Sequence, residues 1–122
     1  MPTTYTLVSG ATDLSLAGSW SPATAPSGWA NGDSVIIRDG SASVNAGLSA
    51  ITVNLAKFSV FSSFKGTLGT VGTSLVLAGT ITELLLDGGG GNFYLSPGTC
   101  ALLVVNGTAG GMLALSGGTT TI

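Results

Sequence analysis

The segment LLLDGGGGNFYLSPGT at residues 84–99 is followed by a second version of itself, LVVNGTAGGMLALSGGT at residues 103–119. LLDG in the first segment matches VVNG in the second at a step of 19 residues, and LSPG matches LSGG at a step of 20. A repeat of about 20 residues, built from short apolar runs between glycine-rich corners, is typical of a β-solenoid. In such a stack each repeat forms one rung, apolar side chains point inward, and Gly, Asn and Asp form the corners.

Short apolar or β-branched runs continue along most of the chain and usually end at Gly, Asn-Gly, Asp-Gly or Pro-Gly. A looser repeat relates VIIRDG at 35–40 to ITVNLA at 51–56. The fold class predicted is all-β, a short parallel β-helix (β-solenoid). The alternative is an antiparallel β-sandwich, which predicts stricter alternation than VII, LLL or LLVV provide. The predicted strands are 34–38, 42–45, 50–54, 57–61, 74–78, 80–86, 92–95, 100–105, 112–115 and 119–122.

Residues 1–33 differ from the rest, because they contain both tryptophans and three of the four prolines. Proline interrupts ladder hydrogen bonds, so WSPATAPSGWANGD is predicted to be irregular. The open edge of a solenoid needs a cover, and we therefore expect 1–33 to be an N-terminal cap, with Trp20 and Trp29 packed over the first rung, or else an arm that binds a partner. Residues 34–122 are expected to form the rungs, within one domain overall.

The aliphatic positions of the rungs are predicted to stack into an internal ladder. Phe58, Phe61 and Phe64 are also interpreted as core residues, whereas Phe93 and Tyr94 are candidates for exposure. The predicted ladder consists of Val35, Ile37, Ile51, Val53, Leu75, Leu77, Leu85, Val104 and Leu113.

Charged residues make up only 7% of the chain, against about 25% in an ordinary soluble domain. A net charge of -2 offers no basic patch for nucleic acid or for a membrane surface. No apolar run approaches the roughly 20 residues that span a bilayer, and the N-terminus lacks the regions of a secretory signal. We therefore expect no nucleic-acid partner, no membrane partner and synthesis in the cytoplasm.

The residue types needed for catalysis are scarce. Histidine is absent, which excludes Ser-His and Cys-His nucleophilic pairs. Cys100 is the single cysteine, so it cannot form an intrachain disulfide, and its apolar neighbours predict a small buried hydrophobe. Asp33 and Asp39 are the nearest candidates for a pair of catalytic carboxylates, but both stand at turn positions. The glycine run before Phe93 fits neither a calcium nonapeptide nor a phosphate loop, so no catalytic residue, metal or cofactor is predicted.

The segment from Trp20 to Thr70 resembles a pattern in structural proteins of tailed-phage and prophage head gene clusters. A Trp- and Pro-containing stretch leads into Gly32-Asp33 and a V-x-I strand, and Gly47-Leu48 then precedes the next strand. The pattern closes with an aromatic-Lys-Gly corner, FKGTLGT at 64–70.

This resemblance implies a β-solenoid capsid decoration (cement) protein, found on the capsid surface of the virion. Its partner would be the major capsid protein, bound by a homotrimer through apolar contacts between capsomers. The alternative is a receptor- or polysaccharide-binding module of a tail fibre or spike, and a free enzyme is the weakest of the three readings. The residues expected to make assembly contacts are Trp20, Pro22, Pro26, Trp29 and Ile122.

Overall fold

The computed structural model describes residues 2–70, 72–87 and 92–106, together with the backbone of 112–115. Within these residues the chain is nearly all-β, and its helical segments are two three-residue 3-10 turns, Ala17–Ser19 and Pro26–Gly28. The strands are β1 (Thr4–Leu7), β2 (Trp20–Ser21), β3 (Asp33–Ile37), β4 (Ser43–Val44), β5 (Leu55–Val60), β6 (Thr67–Leu68), β7 (Leu75–Val76), β8 (Thr80–Asp87), β9 (Asn92–Ser96), β10 (Thr99–Asn106) and β11 (Met112–Leu115).

Parallel pairing stacks these strands into a β-solenoid of about three turns. A six-stranded sheet has the order β10-β8-β5-β3-β1-β2, and a five-stranded sheet has the order β11-β9-β6-β4, with β7 also paired to β9. Only the β1–β2 pair is antiparallel among the described strand pairs. The predicted parallel β-helix is confirmed over the antiparallel sandwich, because a sandwich requires mostly antiparallel pairs.

Between the two sheets, each rung is completed by a third side, whose backbone is mostly irregular. Leu77 N donates to Ser96 O at 3.0 Å, and Thr80 N donates to Asn54 Oδ1 at 3.0 Å, so successive rungs still bond to one another here. The strand predicted at 50–54 is wrong: this segment lies on the third side, in irregular backbone.

The repeat found in the sequence gives the correct register in the later rungs. Leu85 pairs with Val104 at a step of 19, and Leu95 pairs with Leu115 at a step of 20. The looser match at 35–40 and 51–56 is wrong, because Val35 pairs with a residue 23 positions along the chain, Phe58. The last predicted strand, 119–122, lies outside the described residues.

The core is formed by alternate side chains of the strands. Most of the predicted ladder is confirmed as buried: Val35, Ile37, Ile51, Leu75 and Leu77 are at most 2% exposed. Val53 is partly buried against this core, and the side chain of Leu113 lies outside the described part of the chain.

The ladder prediction for Leu85 and Val104 is wrong. On β8 the inward residues are Leu84 and Leu86, which are 0% and 1% exposed, whereas Leu85 lies between them and faces outward. Val104 is its register partner and shares that outward position. Three consecutive leucines give no alternation from which the inward face could be read.

The segment 1–33 contributes a strand to the stack as well as a cover for it. β1 pairs in parallel with β3, so the six-stranded sheet begins within this segment. β2 then lies antiparallel beside β1, pairing Thr6 with Ser21 and Leu7 with Trp20. Because β2 has only two residues and leads into Pro22, it protects the end of the sheet without offering a long edge for further pairing.

Candidate interaction surfaces

The two tryptophans expected as assembly contacts are packed inside the chain's own core. Trp20 is 1% exposed and Trp29 is 6% exposed. Their rings meet edge to face with centroids 4.8 Å apart, and the Trp29 ring stacks on Tyr5 at 4.3 Å. Their indole N–H groups donate to the carbonyls of Leu14 and Thr24, each at 2.9 Å. Both side chains are therefore satisfied within the cap and present little surface to a partner.

The other expected contact residues have different positions. Pro26 is buried beside the tryptophans at the start of a 3-10 turn. Pro22 is exposed and follows a cis peptide bond from Ser21. Ile122 lies outside the described residues. Among the five residues expected to make assembly contacts, Pro22 is the one that the structure places on the surface.

The side of the six-stranded sheet that points away from the core is here called the outer face. Parallel pairing lines its side chains up across β1, β3, β5, β8 and β10 in straight columns. One column is mostly polar and the next mostly apolar. The polar column is Thr4, Ser34, Lys57, Glu83 and Leu102, and the apolar column is Thr6, Ile36, Ser59, Leu85 and Val104.

A shallow groove of about 270 Å³ runs across this outer face. The groove is deepest at Ser34 and Ser59 because their side chains are small. Its apolar side is lined by Ile36, Phe61 and Leu85. The prediction that Phe61 is a core residue is wrong, because it is half-buried on the outer face. The sequence could not reveal this, since Phe61 follows the end of β5, where the inward and outward alternation of the strand stops.

Two opposite charges lie on neighbouring strands of the outer face. Lys57 of β5 and Glu83 of β8 are register partners in the polar column. Arg38 directly follows β3, and Asp87 is the last residue of β8. Within the polar column the positive group therefore belongs to β5 and the negative group belongs to β8. Arg38 also approaches its neighbour Asp39 at 3.9 Å, a loose and largely exposed pair that contributes little.

Exposed apolar side chains occur on several separate surfaces. Leu102 of β10 is 51% exposed at one end of the six-stranded sheet. Val8 and Leu16, in the cap at the opposite end, are 41% and 55% exposed. Val76, on a strand that pairs within the five-stranded sheet, is 36% exposed. The described surface is therefore apolar at more than one place.

The two acids considered for catalysis do not face each other. Asp33 is 3% exposed and points inward, where its two carboxylate oxygens accept the N–H groups of Thr3 and Ala30, each at 2.9 Å. Asp39 lies in the exposed corner after β3, and its side chain is 67% exposed. Asp33 therefore ties the start of β1 to the turn before β3, which is a structural role.

Another acid, Asp13, is also held in local backbone structure. Its Oδ1 accepts the Ser15 hydroxyl at 2.6 Å and the Ser15 N–H at 2.9 Å. These bonds, led by the hydroxyl, hold the pKa of Asp13 below its usual value. Across the described ranges, no group of three or more His, Cys, Asp or Glu residues is placed to hold a metal ion. Cys100 is 1% exposed, which confirms its prediction as a buried hydrophobe.

A scan against protein-family models, a search of the curated proteins and a search of the solved structures each found no match to this chain. In the part of the chain that the structure describes, no helix is long and apolar enough to cross a membrane. Function is therefore proposed from the chain's own surfaces and from the sequence resemblance.

Proposed function

We propose that this chain is a non-enzymatic structural protein of a tailed-phage head, a decoration (cement) protein. Its partner is the major capsid protein, and it stabilises the shell through apolar contacts between capsomers. The proposal includes a homotrimer at threefold positions of the capsid surface, as the resemblance over Trp20 to Thr70 implies. It also includes synthesis in the host cytoplasm before addition to the virion.

The observation that carries the proposal is the spread of exposed apolar side chains over opposite ends of a nearly uncharged solenoid. Leu16 lies in the cap and Leu102 lies on the last strand of the six-stranded sheet, and each is more than half exposed. A protein that joins several capsomers needs contact surface on more than one side. Burial of such surface stabilises a joint by about 25 cal/mol per Å². Symmetry repeats each contact, so that several weak contacts together give tight binding.

The cap favours a rigid clamp over a gripping arm. Tyr5, Trp20 and Trp29 form one buried aromatic cluster, and β1 belongs to the six-stranded sheet. An arm that wraps a partner would keep its large apolar side chains available until binding. In this chain they stabilise the end of the solenoid, so the shell contacts are proposed to come from the exposed residues around it.

The alternative function, a receptor- or polysaccharide-binding tail module, would favour a row of exposed aromatic side chains. Phe93 is 3% exposed and packs near Phe64 in the core, with ring centroids 6.4 Å apart. Tyr94 and Phe61 are each half-buried, but Tyr94 lies on the five-stranded sheet and Phe61 on the outer face. The described aromatics therefore do not form a row, which favours the decoration protein.

The proposal is tested by the protein composition of purified phage particles. We expect this chain in a fixed ratio to the major capsid protein, and on the outside of the shell in an electron-microscopy reconstruction. Its absence from purified heads would contradict the proposal. Density for it only at the tail would favour the tail-module alternative.

A further inference from the structure

The outer face is complementary to itself in charge. Lys57 of β5 and Glu83 of β8 carry opposite charges, and both line the groove on this face. In the described structure neither Lys57 nor Glu83 forms an ion pair within 4.0 Å, although they are neighbours in register. A rotation that exchanges β5 with β8 would place Lys57 of each copy opposite Glu83 of the other copy.

The outer face is also complementary to itself in shape. The groove of about 270 Å³ lies on its β1-to-β8 side, where Ser34 and Ser59 leave space beside Ile36. On its β10 side, Leu102 is 51% exposed and stands out from the polar column, and Val104 is half-buried in the apolar column. The same rotation would bring these protruding side chains over the groove.

We propose that a second copy of this chain packs on the outer face, across a two-fold axis that runs parallel to the strands between β5 and β8. This rotation reverses the stacking order and keeps each column aligned with itself. Lys57 then faces the partner's Glu83 in both directions. Ile36 faces the partner's Val104, and the partner's Leu102 lies over Ser34 at the groove. A contact of this kind uses one patch on both copies and closes as a pair.

The charges favour a second copy over other occupants of the face. A polyanion would meet Lys57 but would be repelled by Glu83 beside it. The rotation superposes four strands, β3, β5, β8 and β10, about 4.8 Å apart and some five residues of about 3.3 Å each, a footprint on the order of 300 Å². Standard interfaces bury about 800 Å² on each partner, so the pair is weak and is measured at high protein concentration. The pairing does not rest on the proposed function, because it requires no capsid.

The test uses the full-length wild-type chain and two charge-reversal variants, Lys57→Glu and Glu83→Lys, in analytical ultracentrifugation. Wild type is expected to contain an even number of chains, whether or not threefold contacts are also made. Each variant alone places like charges opposite each other and is expected to associate at least about ten-fold more weakly. An equimolar mixture restores opposite charges between the copies and is expected to recover association. Recovery cannot come from within a chain, because each variant still has two like charges side by side.

Matched controls separate the face from general effects of charge and hydrophobicity. Lys65→Glu changes net charge as Lys57→Glu does, but lies after Phe64 at a corner, and is expected to leave the association unchanged. Leu102→Ser is expected to weaken the pair about as much as the charge reversals, whereas Val76→Ser, on the other sheet, is not. Melting followed by circular dichroism verifies that each variant is folded.

The proposal is overturned if wild type stays monomeric or trimeric at a few hundred micromolar. It is also overturned if the single variants associate as strongly as wild type, or if their equimolar mixture does not recover association. A monomeric wild type whose binding to shells is abolished by Lys57→Glu would assign the face to the capsid instead. That outcome rejects the pairing and supports the decoration function, so the two proposals can fail separately.

Discussion

Adjacent leucines on β8 have opposite environments. Leu84 is 0% exposed and shares an inward column with Phe58, while Leu85 faces outward in the groove. Leu84→Ala is expected to lower the free energy of unfolding by about 2–5 kcal/mol, because it leaves a cavity in a packed core. Leu85→Ala is expected to lower it by less than about 1 kcal/mol. Urea denaturation of both variants measures the difference, and equal losses would contradict the register of β8.

Two aspartates near β3 provide a second comparison at the residue scale. The Asp33 carboxylate accepts hydrogen bonds from the backbone N–H groups of Thr3 and Ala30. In Asp33→Asn, an amide NH₂ replaces one of the two oxygens, so that it meets one of these N–H groups donor to donor. A buried donor without an acceptor costs about 1–3 kcal/mol, so this variant should be less stable by that amount. Asp39→Asn, at an exposed corner, should change stability by less than about 0.5 kcal/mol. Thermal denaturation distinguishes them, and a stable Asp33→Asn protein would remove the structural role assigned to Asp33.

At the scale of the elements, the corners depend on close approach of one rung to the next. An added Cβ at Gly79 would overlap the backbone of Val53 and Asn54, on the neighbouring rung. Gly79→Ala is therefore expected to cost about 1–3 kcal/mol through overpacking. Gly18 has open space around the same position, so Gly18→Ala serves as the control and should have little effect. If both variants melt at the wild-type temperature, the rungs are not packed as closely as described.

The strands themselves were largely predictable from the sequence, because short apolar runs between glycine-rich corners leave few alternatives. The step of 19 that relates Leu85 to Val104 can be read because LLDG and VVNG resemble each other in sequence. The step of 23 from Val35 to Phe58 cannot be read from the sequence, because the corner and the irregular third side between β3 and β5 are longer. Residues 50–54 have strand composition, but their place on the third side follows from the closure of the whole rung.

The candidate surfaces were less predictable than the strands. The sequence places Trp20 and Trp29 in an irregular apolar segment, and it leaves open whether that segment packs over the first rung as a cap or binds the capsid as an arm. Only the folded chain brings Tyr5 of β1 against them. The outer face was not predicted at all, since Lys57 and Glu83 are far apart in sequence and meet only through the pairing of β5 with β8.

At the scale of the whole molecule, the chain is a short stack with a covered first end and few charges. β2 and the buried tryptophans close the β1 side, and the exposed leucines Leu16 and Leu102 lie toward opposite ends of the six-stranded sheet. Such a body can bind an assembled lattice without any change of its own shape. Because it would bind the assembled shell and not the dissociated subunits, it would stabilise the shell by mass action.

The most direct test of the decoration function compares phage particles with and without this protein. Particles that lack it are expected to assemble and package DNA, but to break open at a lower temperature or after milder osmotic shock than wild type. Addition of purified protein to those particles should restore their resistance, because the contribution comes from bound contact area alone. Particles that lack the protein and withstand heat and osmotic shock as well as wild type would contradict the account.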